Sequence, residues 1–189
     1  MWRAWKIAPA IAYGNTVVFK VASDTAWSGA PLMQAFREAG VPDGVVNYVA
    51  GSGAEVGDAL VHHPDVAGIT FTGSGEVGMG IVRTFAAGRW PRPCIAEMGG
   101  KNPVVVTRHA DLDRAATGIF RSAFGLQGQK CSAASRVLVE RPVMDELVAR
   151  LSKLADGAAV GDPTRRENWM GPVINAAARE RYRKAAAEA

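Results

Sequence analysis

The run Ala67-Gly68-Ile69-Thr70-Phe71-Thr72-Gly73-Ser74-Gly75-Glu76-Val77-Gly78 decides how this chain folds. Its first half is short and apolar with β-branched residues, which predicts a strand from Ala67 to Thr72. Its second half passes through Gly73-Ser74 straight into a helix that continues to about Ala87. A strand feeding a helix through two small residues is half of a βαβ crossover, the unit that builds parallel sheets.

Toward the N-terminus the same order recurs twice. Thr16 to Lys20 reads as a strand, and Asp24-Thr25 as the cap of a helix running to Ala39, closed by Gly40 with Pro42 beyond. Val45 to Val49 is another strand, followed by Gly51-Ser52-Gly53 and a helix from about Ala54 to His62. A helix from Trp2 to Tyr13 precedes them and ends at Gly14-Asn15. These strands are apolar along their length, so they are expected to be buried on both faces, in a parallel sheet covered by helices. The fold class is α/β.

Beyond Arg92-Pro93 the rhythm changes. Cys94 to Glu97 and Pro103 to Val106 read as short strands, and Leu112 to Phe124 as an amphipathic helix. A strand from Arg136 to Glu140, a helix from Val143 to Ala155 and a helix from Asn175 onward complete the pattern. Gly99-Gly100 would relax the backbone between Glu97 and Lys101, which puts a hinge there and divides the chain into 1–97 and 98–189. The first helix begins at residue 1 without a cap and the last runs off the end in mid-pattern, so both ends are expected to be cut.

Composition narrows the function. The chain has 189 residues, of which 48% are hydrophobic and 21% charged, the balance of an ordinary globular protein. The net charge is +4 and the pI about 9.3, but the charges are dispersed and no basic stripe with interleaved aromatics exists, which argues against nucleic acid. Two cysteines, Cys94 and Cys131, make no disulfide framework, and a reducing cytoplasm is the expected compartment. No apolar run is long enough to span a bilayer. Met1 to Ala12 resembles a leader peptide, yet Lys6 and Pro9 interrupt it, and a helix is the better reading. No metal is expected, since no set of Cys, His or carboxylates has ligand spacing.

The residues that can carry chemistry sit after strands. In a doubly wound sheet, ligands bind at the carboxyl ends of strands, so three glycine-bearing turns point to one crevice. Gly51-Ser52-Gly53-Ala54-Glu55-Val56-Gly57 has the spacing G-x-G-x-x-x-G, one residue longer than the dinucleotide fingerprint, and ordinary turn glycines explain it equally well. The turn at Gly73-Ser74 is stronger. Its helix N-terminus offers free N–H groups and a positive dipole end to a pyrophosphate, with Ser74 as a plain N-cap the alternative. Lys20 ends a strand and either meets a polar ligand or snorkels to solvent. Cys131 lies in small, polar Gly128-Gln129-Lys130-Cys131-Ser132-Ala133, where exposure, Lys130 and a helix N-terminus would favour the thiolate. Glu97 ends a strand before two glycines, as a solvated hinge group or as a base in a partly dry cleft.

Four segments resemble the aldehyde dehydrogenase superfamily. They are Trp5-Lys6-Ile7-Ala8-Pro9-Ala10 with Gly14 to Lys20, Phe71-Thr72-Gly73-Ser74, Glu97-Met98-Gly99-Gly100-Lys101-Asn102-Pro103, and Gly128-Gln129-Lys130-Cys131. Their order and spacing agree over essentially the whole chain, including the 34 positions from Glu97 to Cys131. Lys20-Val21-Ala22-Ser23-Asp24, Gly51 to Asp58 and Cys131-Ser132-Ala133 resemble the 1-pyrroline-5-carboxylate (L-glutamate γ-semialdehyde) dehydrogenases within it.

That resemblance implies a fold and a set of roles. Residues 1–97 would be the C-terminal portion of a Rossmann-like NAD(P)-binding domain, and 98–189 the N-terminal portion of the α/β catalytic domain. Cys131 would attack the aldehyde, with its backbone N–H helping to hold the oxyanion. Glu97 would activate the water that hydrolyses the thioester. Lys20 would reach the adenosine ribose, Gly53 and Gly57 would let helix and cofactor approach, and Ser74 would meet the pyrophosphate. Phe71, Thr72, Gly73, Val77, Met98 and Gly99 complete the implied cofactor site. Ser23 stands where many members carry a glutamate on the ribose hydroxyls. Without that charge a 2′-phosphate is not repelled, so the cofactor is NAD or NADP. Ser132 would contact the substrate's carboxylate.

The resemblance also implies a longer parent enzyme, a homo-oligomer that works on a small aldehyde without nucleic acid or membrane. The oxyanion asparagine is expected before Met1 and the glutamate that holds the nicotinamide ribose beyond Ala189, so the 189-residue piece alone is expected to be inactive. The alternatives are a broad-specificity or CoA-acylating aldehyde dehydrogenase, and a non-catalytic protein reusing the fold. Glu97 argues against the CoA-acylating type, and Cys131 together with Glu97 against a scaffold.

Overall fold

Backbone hydrogen bonds join the strands in parallel couples. In the computed structural model, which describes residues 2–188, the chain falls into two units, Met1–Glu97 and Met98–Ala189. The first runs α1 (Trp2–Ala12), β1 (Val17–Lys20), α2 (Ala30–Glu38), β2 (Val46–Val49), α3 (Asp58–His62), β3 (Ile69–Thr72), α4 (Gly75–Ala86) and β4 (Cys94–Glu97). β1 pairs with β2 and β3 with β4, both parallel, with Thr72 opposite Glu97 at the carboxyl ends. The α/β class is therefore correct.

Two details of the expectation are not. The strands are not buried on both faces: Val18 is 48% and Ile95 62% exposed. The helices that pack on these strands, α1 on β1 and α4 on β4, cover alternate side chains only. Nor do the strands of the first unit form one ladder, since β1–β2 and β3–β4 are separate couples among the described residues.

The helix expected from Asp24 to Ala39 is also broken. Ser23–Gly29 winds as a tighter 3₁₀ turn in which Thr25 leaves helical geometry, and α2 starts at Ala30. Pro31 suits a first turn, where its missing N–H costs nothing. Gly29 is buried, with Tyr48 packed where a side chain would stand, and the Tyr48 hydroxyl donates to the Ala26 carbonyl at 2.6 Å. The helix expected from Ala54 opens as a wider π turn, Gly53–Gly57, before α3.

The first unit's core includes Ile7, Val21, Ile81 and Phe85, each under one-tenth exposed. Burying a side chain the size of Phe85 contributes about 2–3 kcal/mol. Arg92 lies across the Phe85 ring, 3.9 Å from its centre, and its guanidinium donates to the carbonyls of Val61, His63 and Val66. The Val61 and His63 carbonyls lie at the end of α3, where intrahelical donors run out, and that of Val66 lies in the loop beyond. One cation thus closes a helix end and lids an aromatic ring.

The second unit runs β5 (Asn102–Val106), α5 (Leu112–Phe124), β6 (Ala134–Val139), α6 (Met144–Asp156) and α7 (Ala176–Glu188). β5 and β6 are parallel, and α5 packs on α6. Val106, Ala116, Ile119 and Leu147 form the core, with Val104, Leu112, Val137 and Leu151 around them. Asp111 caps α5, its carboxylate accepting from the Arg114 amide. Where β5 and β6 end, Glu140 accepts from the Arg108 side chain and backbone N–H, and those bonds hold its carboxyl below the ordinary range.

Candidate active site

In the second unit, the thiol of Cys131 is free and exposed. It does not stand at a helix N-terminus, which corrects the expectation. The chain leaves α5 through a 3₁₀ turn, Gly125–Gly128, and enters β6 at Ala134. Cys131 and Ser132 occupy the tip of a β-turn closed by the Ala133 amide donating to the Lys130 carbonyl at 3.1 Å. Both tip residues are exposed, whereas Ala133 and Ala134 are buried. The tip therefore stands on a packed base.

Two side chains from elsewhere hold this loop. Asn102, at the start of β5, donates its carboxamide N–H groups to the carbonyls of Cys131 at 2.7 Å and Ala133 at 3.2 Å. Gln127 donates to the carbonyls of Gly171 at 2.8 Å and Pro172 at 3.1 Å, and accepts from the Gln129 side chain. Leu126 and Gln127 both adopt left-handed backbone, φ 50° and 58°, which costs a residue with a Cβ on the order of 1 kcal/mol or more. The Gln127 bonds offset that cost. Gly100 passes so close to the loop that a Cβ there would lie 2.6 Å from the Cys131 carbonyl oxygen.

In the first unit, Glu97 is exposed and ends β4 beside Thr72. Its carbonyl accepts from the Gly73 amide at 3.1 Å, which ties the acidic strand end to the turn that opens α4. Ser74 caps α4, its hydroxyl accepting from the Val77 amide at 3.3 Å. Val77 is itself half exposed, and Phe71 packs its ring where a Gly73 side chain would stand.

The turn after β2 is built alike. Ser52 accepts from the Glu55 amide as the cap of this turn, and its hydroxyl donates to the Glu55 carboxylate. Ser23 donates to the Gly51 carbonyl at 3.0 Å and so links the ends of β1 and β2. Lys20 neither snorkels outward nor stands free: its ammonium donates to the Val21 carbonyl at 3.0 Å. Its stem runs 3.8 Å from where a Gly57 Cβ would be, an ordinary contact. A Cβ at Gly53 or Gly99 would meet nothing within 4 Å. A Cβ at Gly51 would lie 2.3 Å from Val56, so packing demands glycine there rather than at Gly53.

The structure thus brings together Glu97 with Thr72 and Gly73, Lys20 with Gly57, and Ser23 with Gly51. Met98 and Gly99 open the second unit, while Glu97 closes the first. Asn102 and Gln127 were given no role from sequence, and Gly100 and Gly51 were read only as hinge and turn glycines. A polar side chain between Gly100 and Pro103 at the start of a strand was the available signal for Asn102. Among the described residues, no group of three or more His, Cys, Asp or Glu is placed to hold a metal, and no helix is long and apolar enough to cross a membrane.

Parallel strand couples with capped, glycine-bearing turns at their carboxyl ends, and an exposed cysteine on a packed turn, define an α/β protein. The chain belongs to the aldehyde dehydrogenase family, whose model matches residues 1–189. It is 51% identical over 182 residues to 1-pyrroline-5-carboxylate dehydrogenase 1 of Halalkalibacterium halodurans, covering 93% of this chain and 35% of that protein. It is 44% identical over 171 residues to the alpha-ketoglutaric semialdehyde dehydrogenase of Bacillus subtilis, covering 90% of this chain and 35% of that one. A solved 1-pyrroline-5-carboxylate dehydrogenase from Thermus with bound NAD matches with a TM-score of 0.87 at 40% identity, over 93% of this chain and 35% of that one. The chain spans about a third of the length of the curated relatives it matches.

Proposed function

We propose that the full-length gene product bearing this chain oxidises an aldehyde to a carboxylic acid with NAD or NADP, and that the aldehyde is L-glutamate γ-semialdehyde. The relatives named for 1-pyrroline-5-carboxylate and for alpha-ketoglutaric semialdehyde support a substrate that carries a carboxylate as well as the aldehyde. The observation that carries the reading is the setting of Cys131, an exposed thiol on a turn whose backbone is fastened from below. A structural cysteine has no use for such a perch.

In this reading residues 1–97 belong to the cofactor domain, which carries Glu97, and 98–189 to the catalytic domain, which carries Cys131. The first unit fits a dinucleotide on three counts. α4 presents its N-terminus at a strand end, Lys20 places a cation at the end of β1, and the space beside Gly53 is open. Lys20 and Ser23 would hold the ribose, with Gly53 and Gly57 beside it. Gly73 and Ser74 would meet the pyrophosphate, with Phe71, Thr72 and Val77 around them and Met98 and Gly99 toward the nicotinamide. Ser23 brings no charge, which admits either cofactor. The chemistry a bound nicotinamide supplies is acceptance of a hydride.

The residues do the rest. The Cys131 thiolate adds to the aldehyde carbon and forms a thiohemiacetal, which becomes a thioester when hydride is lost. The Cys131 amide steadies the oxyanion, and Ser132 meets the substrate carboxylate. Glu97 takes a proton from water as the water attacks the thioester. The acid leaves and the thiol is regenerated. Cytoplasmic location and homo-oligomeric assembly belong to the same reading.

The test is product analysis of the full-length protein with L-glutamate γ-semialdehyde and NAD or NADP. Glutamate and reduced cofactor in equal amounts are expected. Glu97→Gln is expected to keep the first turnover as a burst while steady-state turnover falls on the order of 10²- to 10⁴-fold. Acyl-CoA as the product when CoA is added to the same assay, or unchanged steady-state turnover in Glu97→Gln, overturns the reading.

A further inference from the structure

Cys131 has an exposed side chain on a β-turn tip, so the direction of its Cα–Cβ bond is set by its backbone rather than by packing around its sulfur. Three contacts converge on this turn, and two of them meet at one atom, the carbonyl oxygen of Cys131. The Asn102 carboxamide donates to it at 2.7 Å. The same nitrogen donates its second hydrogen to Ala133 at 3.2 Å, so the group brackets the turn from Cys131 to Ala133. Two residues before Asn102, Gly100 leaves room that a Cβ would fill, 2.6 Å from that same oxygen and 3.0 Å from the Asn102 nitrogen. The nitrogen assignment follows from the partners, because two carbonyls demand donors and only the amide nitrogen supplies two.

We propose that Asn102 is a positioning residue for the thiol chemistry: its carboxamide, admitted by Gly100, pins the carbonyl of the nucleophilic residue and thereby aims the sulfur and the Cys131 amide. The inference rests on the reading of Cys131 as the nucleophile. Asn102 is half-buried and starts β5 opposite Ala134, so the pin is anchored in the ladder that continues from the turn. A hydrogen bond made beneath a nucleophile in this way acts through geometry, and a misplacement of about 1 Å costs on the order of 10²-fold in rate.

The experiment uses the full-length protein with Asn102→Ala and Asn102→Asp. Asp keeps the shape but has no hydrogen to donate when ionised and adds a negative charge near the thiol. Both variants are expected to lower kcat about 10- to 100-fold with KM for L-glutamate γ-semialdehyde changed less than about threefold. Iodoacetamide alkylation of Cys131, followed against pH, is expected to shift its midpoint upward in Asn102→Asp and to slow in both variants. Gly100→Ala, which presses on the same oxygen, is the second route should either variant fail to fold, and the same fall in kcat is expected. A folded variant with wild-type kcat and an unchanged alkylation profile overturns the proposal, even if its melting temperature falls, because that is the behaviour of a strut. If instead Cys131→Ser keeps turnover and the aldehyde does not protect Cys131 in the wild type, the reading of the nucleophile fails and the proposal falls with it.

Discussion

In the first unit the turns after β2 and β3 are fastened by serines three positions from the amides they cap, Ser52 to Glu55 and Ser74 to Val77. In the second unit the turn bearing Cys131 is fastened by Asn102 from 29 residues away, and the loop before it by Gln127 reaching 44 and 45 residues ahead. A local cap frays only its own helix end when it is lost. A remote clamp couples the loop to segments that fold separately in sequence, so its loss moves the loop as a whole. In the proposed reading the first two are binding turns, whose order a ligand can complete, whereas Cys131 as the nucleophile has to be in place before the substrate arrives.

Three substitutions test this contrast, beginning with the most severe. Cys131→Ser is expected to lower aldehyde oxidation on the order of 10³-fold or more while leaving dinucleotide affinity unchanged. Steady-state kinetics beside a fluorescence titration with the reduced cofactor will show it, and a loss of affinity would mean that the two regions are not divided between chemistry and binding. Arg92→Ala sharpens the contrast from the other side, because Arg92 is a remote clamp within the first unit that closes the end of α3 rather than a strand-end turn. It is expected to cost about 2–3 kcal/mol in chemical denaturation, with kcat preserved in the folded protein. A fall in kcat would make remoteness in sequence, not the thing clamped, the deciding property. Ser74→Ala is the mildest, with about 1 kcal/mol of stability lost and a few-fold higher KM for the dinucleotide at constant kcat. No change in either quantity would leave Ser74 outside the cofactor site.

How far the sequence could be read follows from the same contrast. The βα order, the Ser74 cap and the exposed nucleophile candidate were legible, because each depends on neighbours within a few positions: Ser74 stands three before Val77, and Cys131 among small polar residues. The break at Thr25 was not legible, because Gly29 has to tuck under Tyr48, a residue on another element. The tight packing of Val56 against Gly51 was not legible, because spacing shows which residues are glycine but not where their missing side chains would point. Asn102 and Gln127 stayed hidden for a related reason. Their acceptors are backbone carbonyls, which every residue possesses, so nothing in the letters at 131, 133, 171 or 172 marks a partner.

The pairing of strands two by two has a practical consequence for anyone handling this polypeptide. Each couple shows an unladdered margin on either side among the described residues, and apolar side chains such as Ile95, Val105 and Leu138 stand open next to those margins. Such margins template β-addition by other chains, and two-stranded couples are weak on their own. Expressed by itself the polypeptide is therefore prone to self-association, and a solubilising fusion or low working concentration is the sensible starting point for any measurement on it.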